Sequence, residues 1–384
     1  MKIGVISTLY PTKRFPTFGN FVKDELDNLA KFCDIKLISP LPNQYWFGES
    51  HFSTAETGYP VIRPFVFAFP RWFIQKYHPS SMAVTLTRIG RKYFNGCELI
   101  HAHNAFPDGI AAVKAFGRDL PVIVTVHGSD VNLFAMKQKL QRDIVSAMNR
   151  AKRIICVSRD LSETLNKIGV YTEKEIIPNG IDFRIFTPGD KQDASRTLGL
   201  NPQRPRILFA GNFVAVKGVE YLIKALPEVL TKHPKCHLVL VGAQPGSSDL
   251  TKYNKVIRNA GIERFVTIVE KVPHKNMPLW IKASDILVLP SVKEGFGLIA
   301  AEALACGRPV VATQCGGPED IVKEGMGILV PPRDTGALSR ALLKVFEGDG
   351  ISDAESLAES ARSRFSYEIV SDKILSVYSD VINE

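Results

Sequence analysis

No apolar run in this chain approaches the ~18 residues that a bilayer-crossing helix needs. The opening stretch, MKIGVISTLYP, is apolar but lacks a small-residue cleavage site, and a turn follows at once. It reads as a first strand rather than a secretory signal. None of the cysteines, at 33, 97, 156, 236, 306 and 315, belongs to a Cys-x-x-Cys pair. Most sit in apolar contexts such as RIICVS, as small buried hydrophobes do in a reducing compartment. Asp-x-Asp, short internal repeats and low-complexity tracts are also missing. These absences favour a cytoplasmic protein, with the inner membrane face as a peripheral alternative.

What is present is ordinary in bulk: 45% hydrophobic and 23% charged residues. The net charge of +9 suggests an anionic partner. Nucleic acid, an anionic membrane and phosphorylated substrates all carry the right sign. The basic residues are dispersed and no nucleic-acid motif accompanies them, so nucleic acid is not expected. At 384 residues the chain is long for one core, and two domains follow.

Short β-branched runs alternate with helical patterns. KIGVIST, IKLISP, ELIHAH, PVIVTVHG, RIICVS and EIIPNG are strand candidates in the first half. RILFAGN, HLVLVG, VTIVE, ILVLPS, PVVAT and GILVP are their counterparts in the second. Continuous apolar strands with helices between them make parallel sheets covered on both faces. The pattern predicts an α/β protein with two doubly wound domains, over 1–182 and 183–365, joined by the Pro-, Gly- and charge-rich stretch 182–205. Ligands of such folds bind beyond the carboxyl ends of the strands, so the cleft between the domains is the expected site.

Five motifs lie near strand ends. In EGFGLIAAEALACG, two carboxylates, Glu294 and Glu302, flank a turn and a helix start. Free N–H groups at such a start bind anions, and Gly295 and Gly297 admit a ligand close to the backbone of Phe296 and Leu298. Glu302 could accept two hydrogen bonds from a vicinal diol such as a ribose, and Glu294 could meet a sugar hydroxyl or hold the turn. A helix start with one surface acid fits these residues equally well. In GNFVAVKG, Gly211 permits close approach and Lys217 could neutralise a diphosphate; a solvated loop lysine is the alternative. In VTVHGSD, His127 follows an apolar strand and could bond a sugar hydroxyl, while Ser129 or Asp130 could cap the next helix. IPNGID is a turn signal first. In PTFGNFVKDEL, Gly19 begins a helix, as a site residue or as a simple turn.

Together and in this order, these pieces resemble the retaining glycosyltransferases of family 4, with the GT-B fold, over essentially the whole chain. Glu294 to Glu302 matches the family's E-x7-E pattern, and GNFVAVKG is similar to its G-R-x-x-x-x-K-G. The resemblance implies two Rossmann-like domains and a terminal helix, 366–384, that returns to the first. It implies a nucleotide-diphosphate sugar, most commonly of uridine, with the base near Lys271 and Val272. Gly211, Asn212 and Lys217 would face the diphosphate. The amides of Phe296, Gly297 and Leu298 would meet phosphate and sugar, Glu302 the ribose, and Glu294 the hexose. His127 would contact that hexose from the first domain, and Gly19 with Asn20 would flank the acceptor. His127, Lys217 and Glu294 are therefore the expected catalytic residues. Asn212 stands where the family has arginine, with Arg159 and Lys293 as candidate replacements.

Retaining enzymes of this fold usually lack an obvious nucleophile, which implies front-face attack with the leaving phosphate taking the acceptor proton. Without Asp-x-Asp, no metal and no other cofactor are expected. His101 and His103 share a strand face and could ligate zinc, but no Cys or acid partner set is evident. Residues 65–94 mix aromatics with Arg and Lys, as a membrane-contacting surface or a packed helical region. Lys13, Arg14 and Lys23 add charge on the acceptor side, consistent with a lipid-diphosphate acceptor. The expected role is surface-polysaccharide or glycolipid assembly; PTKRFPTFGNFVKDE resembles the start of enzymes grouped with teichuronic-acid or capsule synthesis. The competing readings are a nucleotide-sugar epimerase and a non-catalytic nucleotide-sugar-binding scaffold, the latter motivated by Asn212.

Overall fold

Strands that are aliphatic at nearly every position can only be stable inside a sheet covered on both faces, and that is where this chain puts them. A computed structural model describes residues 1–42, 52–53, 58–67 and 78–384. The chain forms two compact units, Met1–Gly180 with Tyr367–Glu384, and Ile181–Ser366.

In the first unit the strands are β1 (Lys2–Ile6), β2 (Asp34–Ile38), β3 (Leu41–Pro42), β4 (Phe52–Ser53), β5 (Val61–Ile62), β6 (Phe65–Val66), β7 (Leu99–His103), β8 (Val122–Val126), β9 (Arg153–Cys156) and β10 (Lys174–Ile176). Eight form one sheet in the order β10-β9-β8-β7-β1-β2-β5-β4, parallel except where β4 meets β5; β3 and β6 pair separately. β7, β8 and β9 are buried at every position. The expectation of six strands here misses the two-residue pieces β3 to β6, which are too short to leave a pattern.

The second unit has β11 (Arg206–Ala210), β12 (His237–Ala243), β13 (Val266–Glu270), β14 (Ile286–Leu289), β15 (Val310–Thr313) and β16 (Gly327–Val330), all parallel, in the order β13-β12-β11-β14-β15-β16. The parallel strands of each sheet reverse their direction of travel once, at β1/β7 in the first unit and at β11/β14 in the second. Loops leaving adjacent strands in opposite directions open a crevice at such a switch point.

Ser366 is extended (φ −62°, ψ 148°) and separates helix Ala354–Phe365 of the second unit from the terminal helix Tyr367–Asn383 of the first. The terminal helix buries Val370, Ile374, Val377, Tyr378 and Val381, a one-face spacing, in the same core as Ile3, Leu26, Leu29 and Leu99. All the cysteines are buried and unbonded. No described helix is long and apolar enough to cross a membrane.

Candidate active site

At the second unit's switch point, the loop after β11 and the loop after β14 meet. Lys217 lies in a short 3-10 turn, Ala215–Lys217, and Gly218 follows at φ 67° as the cap of helix Val219–Lys232. A Cβ at Gly218 would strike the Pro290 carbonyl, so only glycine lets the β11 loop lie this close to β14. Lys217 thus stands two residues before the helix, at the end of the turn. Its Nζ donates to Glu294 Oε2 at 2.5 Å, a contact across 77 residues of sequence. Both side chains are largely shielded, 27% and 13% exposed, so the attraction is poorly screened. Ser291 Oγ donates to the same Glu294 oxygen at 3.2 Å, and the Glu294 backbone pairs with Cys315 and Gly317.

Gly297, at φ 95°, caps helix Leu298–Ala305, and a Cβ there would fall 2.9 Å from Leu289 Cδ2. The N–H groups of Phe296, Gly297 and Leu298 have no partner among the described residues. An anion at this start would meet them and the positive helix end. Glu302, on the helix, is buried at 3% exposure, and its Oε1 lies 2.6 Å from His274 Nε2. His274 follows β13 and stacks obliquely near Phe186. Sequence reasoning misses His274: it stands 28 residues from its partner, and only its place just past a strand end marks it. Gly211, at the end of β11, is bonded to Val241; Asn212 beside it is exposed; Val272 lies in the loop before His274. Lys293 adjoins Glu294 in the same turn, whereas Arg159 begins a helix in the first unit.

The first unit gathers its polar groups at its own switch point. Gly19 caps helix Asn20–Leu29 at φ 72°, and a Cβ there would collide with the Leu9 carbonyl, so its close approach is to the chain's own backbone. Asn20 opens that helix. His127, just past β8, is partly exposed, and Phe21 packs edge-on against its ring at 4.9 Å. Its Nε2 lies 3.2 Å from His103 Nδ1.

The Asp130 carboxylate does not cap the following helix. It accepts from the N–H groups of Ala105 and Gly128 at 2.8 Å, Val131 at 3.1 Å and His127 at 3.3 Å, which fixes the turn carrying His127. Burial pushes the Asp130 carboxyl up, and those N–H groups oppose the shift. Asp108 accepts from Thr8 Oγ1 at 2.8 Å and from the Thr8 N–H; burial raises it to about 8. Burial holds both His101 and His127 down to about 3, so both are neutral at pH 7.

Glu25, His101 and His103 bring their potential ligand atoms within 4.8 Å of one another. The acid absent from the sequence pattern near the His-x-His pair is thus supplied by helix Asn20–Leu29. His101, however, spends both nitrogens, on Tyr378 Oη at 2.6 Å and Thr125 Oγ1 at 2.7 Å.

Residues 20–184 match the family model described as Glycosyltransferase Family 4, and residues 190–364 match that described as Glycosyl transferases group 1. The chain belongs to glycosyltransferase family 4. Among relatives of this family 4 glycosyltransferase is TuaC of Bacillus subtilis (strain 168), provisionally named for teichuronic acid biosynthesis. It is 29% identical over 387 residues, covering 95% of each chain. The fold is GT-B, shared with solved structures across the full length. A sucrose-phosphate synthase from Thermosynechococcus elongatus superposes with TM-score 0.84 at 21% identity, covering 100% of this chain and 99% of that one. Anabaena HepE, solved with UDP-glucose, gives 0.75 at 20%, covering 99% and 100%.

Proposed function

We propose that this family 4 glycosyltransferase moves a hexose from a UDP-sugar to a glycan or lipid-linked acceptor in surface-polysaccharide or glycolipid assembly, with retention at the anomeric carbon. The observation that carries the reading is the meeting of Lys217, Glu294 and the unpartnered amides of Phe296 to Leu298 at one switch point. An ammonium and a helix start aimed at one place suit a leaving diphosphate. Gly211 and Asn212 line the same loop, Glu302 is the ribose acceptor, and the backbone by Val272 meets the base. UDP in the HepE structures and the name of TuaC point the same way.

The bond from the anomeric carbon to the diphosphate oxygen breaks as the acceptor oxygen bonds the same face. The acceptor proton passes to the departing phosphate. Lys217 and the three amides stabilise the charge that develops there; Glu294 and His127 hold the hexose; Gly19 and Asn20 flank the acceptor. Without Asp-x-Asp, the reaction needs no metal. The protein works in the cytoplasm, at the inner membrane face when its acceptor is lipid-linked. Exposed Phe15 and Phe18, near Lys13, Arg14 and Lys23 in sequence, together with exposed Phe65 and Phe67, support that. The remainder of the aromatic stretch, 68–77, lies outside the described residues.

Lys217→Ala tests the reading. Removing a charge that acts on the leaving group costs about 10²-fold or more in kcat. Near-wild-type turnover refutes it, and donor binding without transfer to any acceptor favours a scaffold. Anomeric NMR of the product reads retention directly.

A further inference from the structure

Behind His127 runs a chain of polar atoms that the transfer reaction does not use. His127 Nε2 lies 3.2 Å from His103 Nδ1. The two rings are nearly parallel, with 13° between planes and centroids 5.4 Å apart, and meet edge to edge through these nitrogens. On its far side, His103 Nε2 faces Glu25 Oε1 at 3.7 Å, within ion-pair range and beyond a normal hydrogen bond. Glu25 Oε1, His103 Nε2 and His127 Nδ1 are each shielded from water and without a hydrogen-bond partner among the described residues. An unpaired buried polar atom is costly, and three in one line call for an explanation.

We propose that Glu25 and His103 are positioning residues that set whether His127 offers a hydrogen-bond donor or an acceptor at Nδ1. The logic is forced by neutral imidazoles, each of which has one N–H and one lone pair. With Glu25 protonated, its O–H donates to His103 Nε2 once the 3.7 Å gap shortens to hydrogen-bond length. His103 then carries its proton on Nδ1 and donates to His127 Nε2, so His127 bears N–H at Nδ1. With Glu25 ionised, His103 carries its proton on Nε2. His127 then donates from Nε2 to His103, and its Nδ1 is a bare acceptor. A proton taken up at Nδ1 is balanced by one delivered to Glu25: His127 Nε2–H passes to His103 Nδ1, and His103 Nε2–H passes to the carboxylate.

The surroundings isolate this line. His101 is the nearest titratable neighbour on β7, and its nitrogens are committed to Thr125 of β8 and Tyr378 of the terminal helix. The Tyr378 hydroxyl faces Glu25 and Cys33, and burial pushes it well up, so it brings no charge. Asp130 and Asp108 bracket the His127 side, bonded to backbone amides and to Thr8. Burial raises the Glu25 carboxyl to about 8, which puts the change of state close to neutral pH. Below that the line ends in a donor, which a sugar oxygen completes only once the cover over the shielded Nδ1 shifts.

The use made of Nδ1 rests on the proposed contact of His127 with the hexose; the relay itself does not. The test is long-range 1H–15N NMR of the full chain, labelled in histidine, from pH 6 to 9.5. Wild type is expected to show His127 moving from the Nδ1–H to the Nε2–H tautomer with a midpoint near 8. Glu25→Gln and His103→Leu each abolish the step, and one folded variant suffices. A step that persists in either variant, or a single His127 tautomer across the range, overturns the relay. The pH profile of kcat separates the two claims. The tautomer step without a matching inflection leaves the relay standing and removes His127 from the sugar.

Discussion

Glu25 can be tested through stability alone. In the unfolded chain its carboxyl ionises near 4.5; in the folded unit burial holds the proton on until about 8. Between those values the folded state binds more protons than the unfolded one, so stability falls as pH rises. The loss begins above 4.5 and is complete above about 8. At about 1.4 kcal/mol per pH unit, the part that opens between pH 5 and 8 is at most about 4 kcal/mol. Relaxation around the ionised group reduces it, so about 2 to 4 kcal/mol is the expected range. Glu25→Gln keeps the shape and removes the titration. Urea unfolding at pH 5, 6.5 and 8 measures both proteins. The stability of Glu25→Gln should gain on wild type by that range as pH rises. Parallel curves would refute the claim that Glu25 stays protonated in the fold.

The buried histidines impose the opposite slope at acid pH. His101 and His127 stay neutral in the fold down to about 3 and ionise near 6.5 when unfolded, so stability is lost as pH falls below 6.5. The Tm of wild type should drop steeply between pH 6 and 4, and His101→Phe should flatten that drop; an unchanged slope would count against it. Asp130→Asn keeps an oxygen for the N–H groups of His127, Gly128 and Val131 but puts its amide N–H against the Ala105 donor that the second carboxylate oxygen now serves. It should lower the Tm through a cost of about 2 to 3 kcal/mol and depress kcat with little change in donor affinity. A stability unaltered within about 0.5 kcal/mol would remove its positioning role.

The sheets were readable because both-face burial leaves uninterrupted aliphatic runs: β7 as LIHAH and β14 as ILVL. Two-residue strands such as β3 and β4 leave no such trace. The turn at Gly297 was readable for a related reason, since left-handed backbone at a helix start favours glycine. Contacts made only by the tertiary fold were not. Nothing local announces that His274 meets Glu302, or that Glu25 lies behind His103, which is 78 residues away in sequence by simple count of positions 25 and 103. Asp130 looked like a helix cap because it follows β8 by four residues and stands at a helix start. Here four backbone donors from two loops claim it first. The place of Lys217 is likewise set by tertiary contact: the Pro290 carbonyl leaves room only for glycine at 218, just after it.

The central claim is a UDP-sugar site at the β11/β14 switch point. The most direct measurement is a thermal-shift panel of UDP-, GDP- and ADP-hexoses against wild type and Glu302→Ala. A ligand at a hundred times its Kd stabilises the native state by about 2.7 kcal/mol, which is several degrees for a unit of this size. The account predicts that shift with the UDP-hexoses and a clearly smaller one in Glu302→Ala. No shift with any nucleotide sugar, or an equal shift in both proteins, would contradict it.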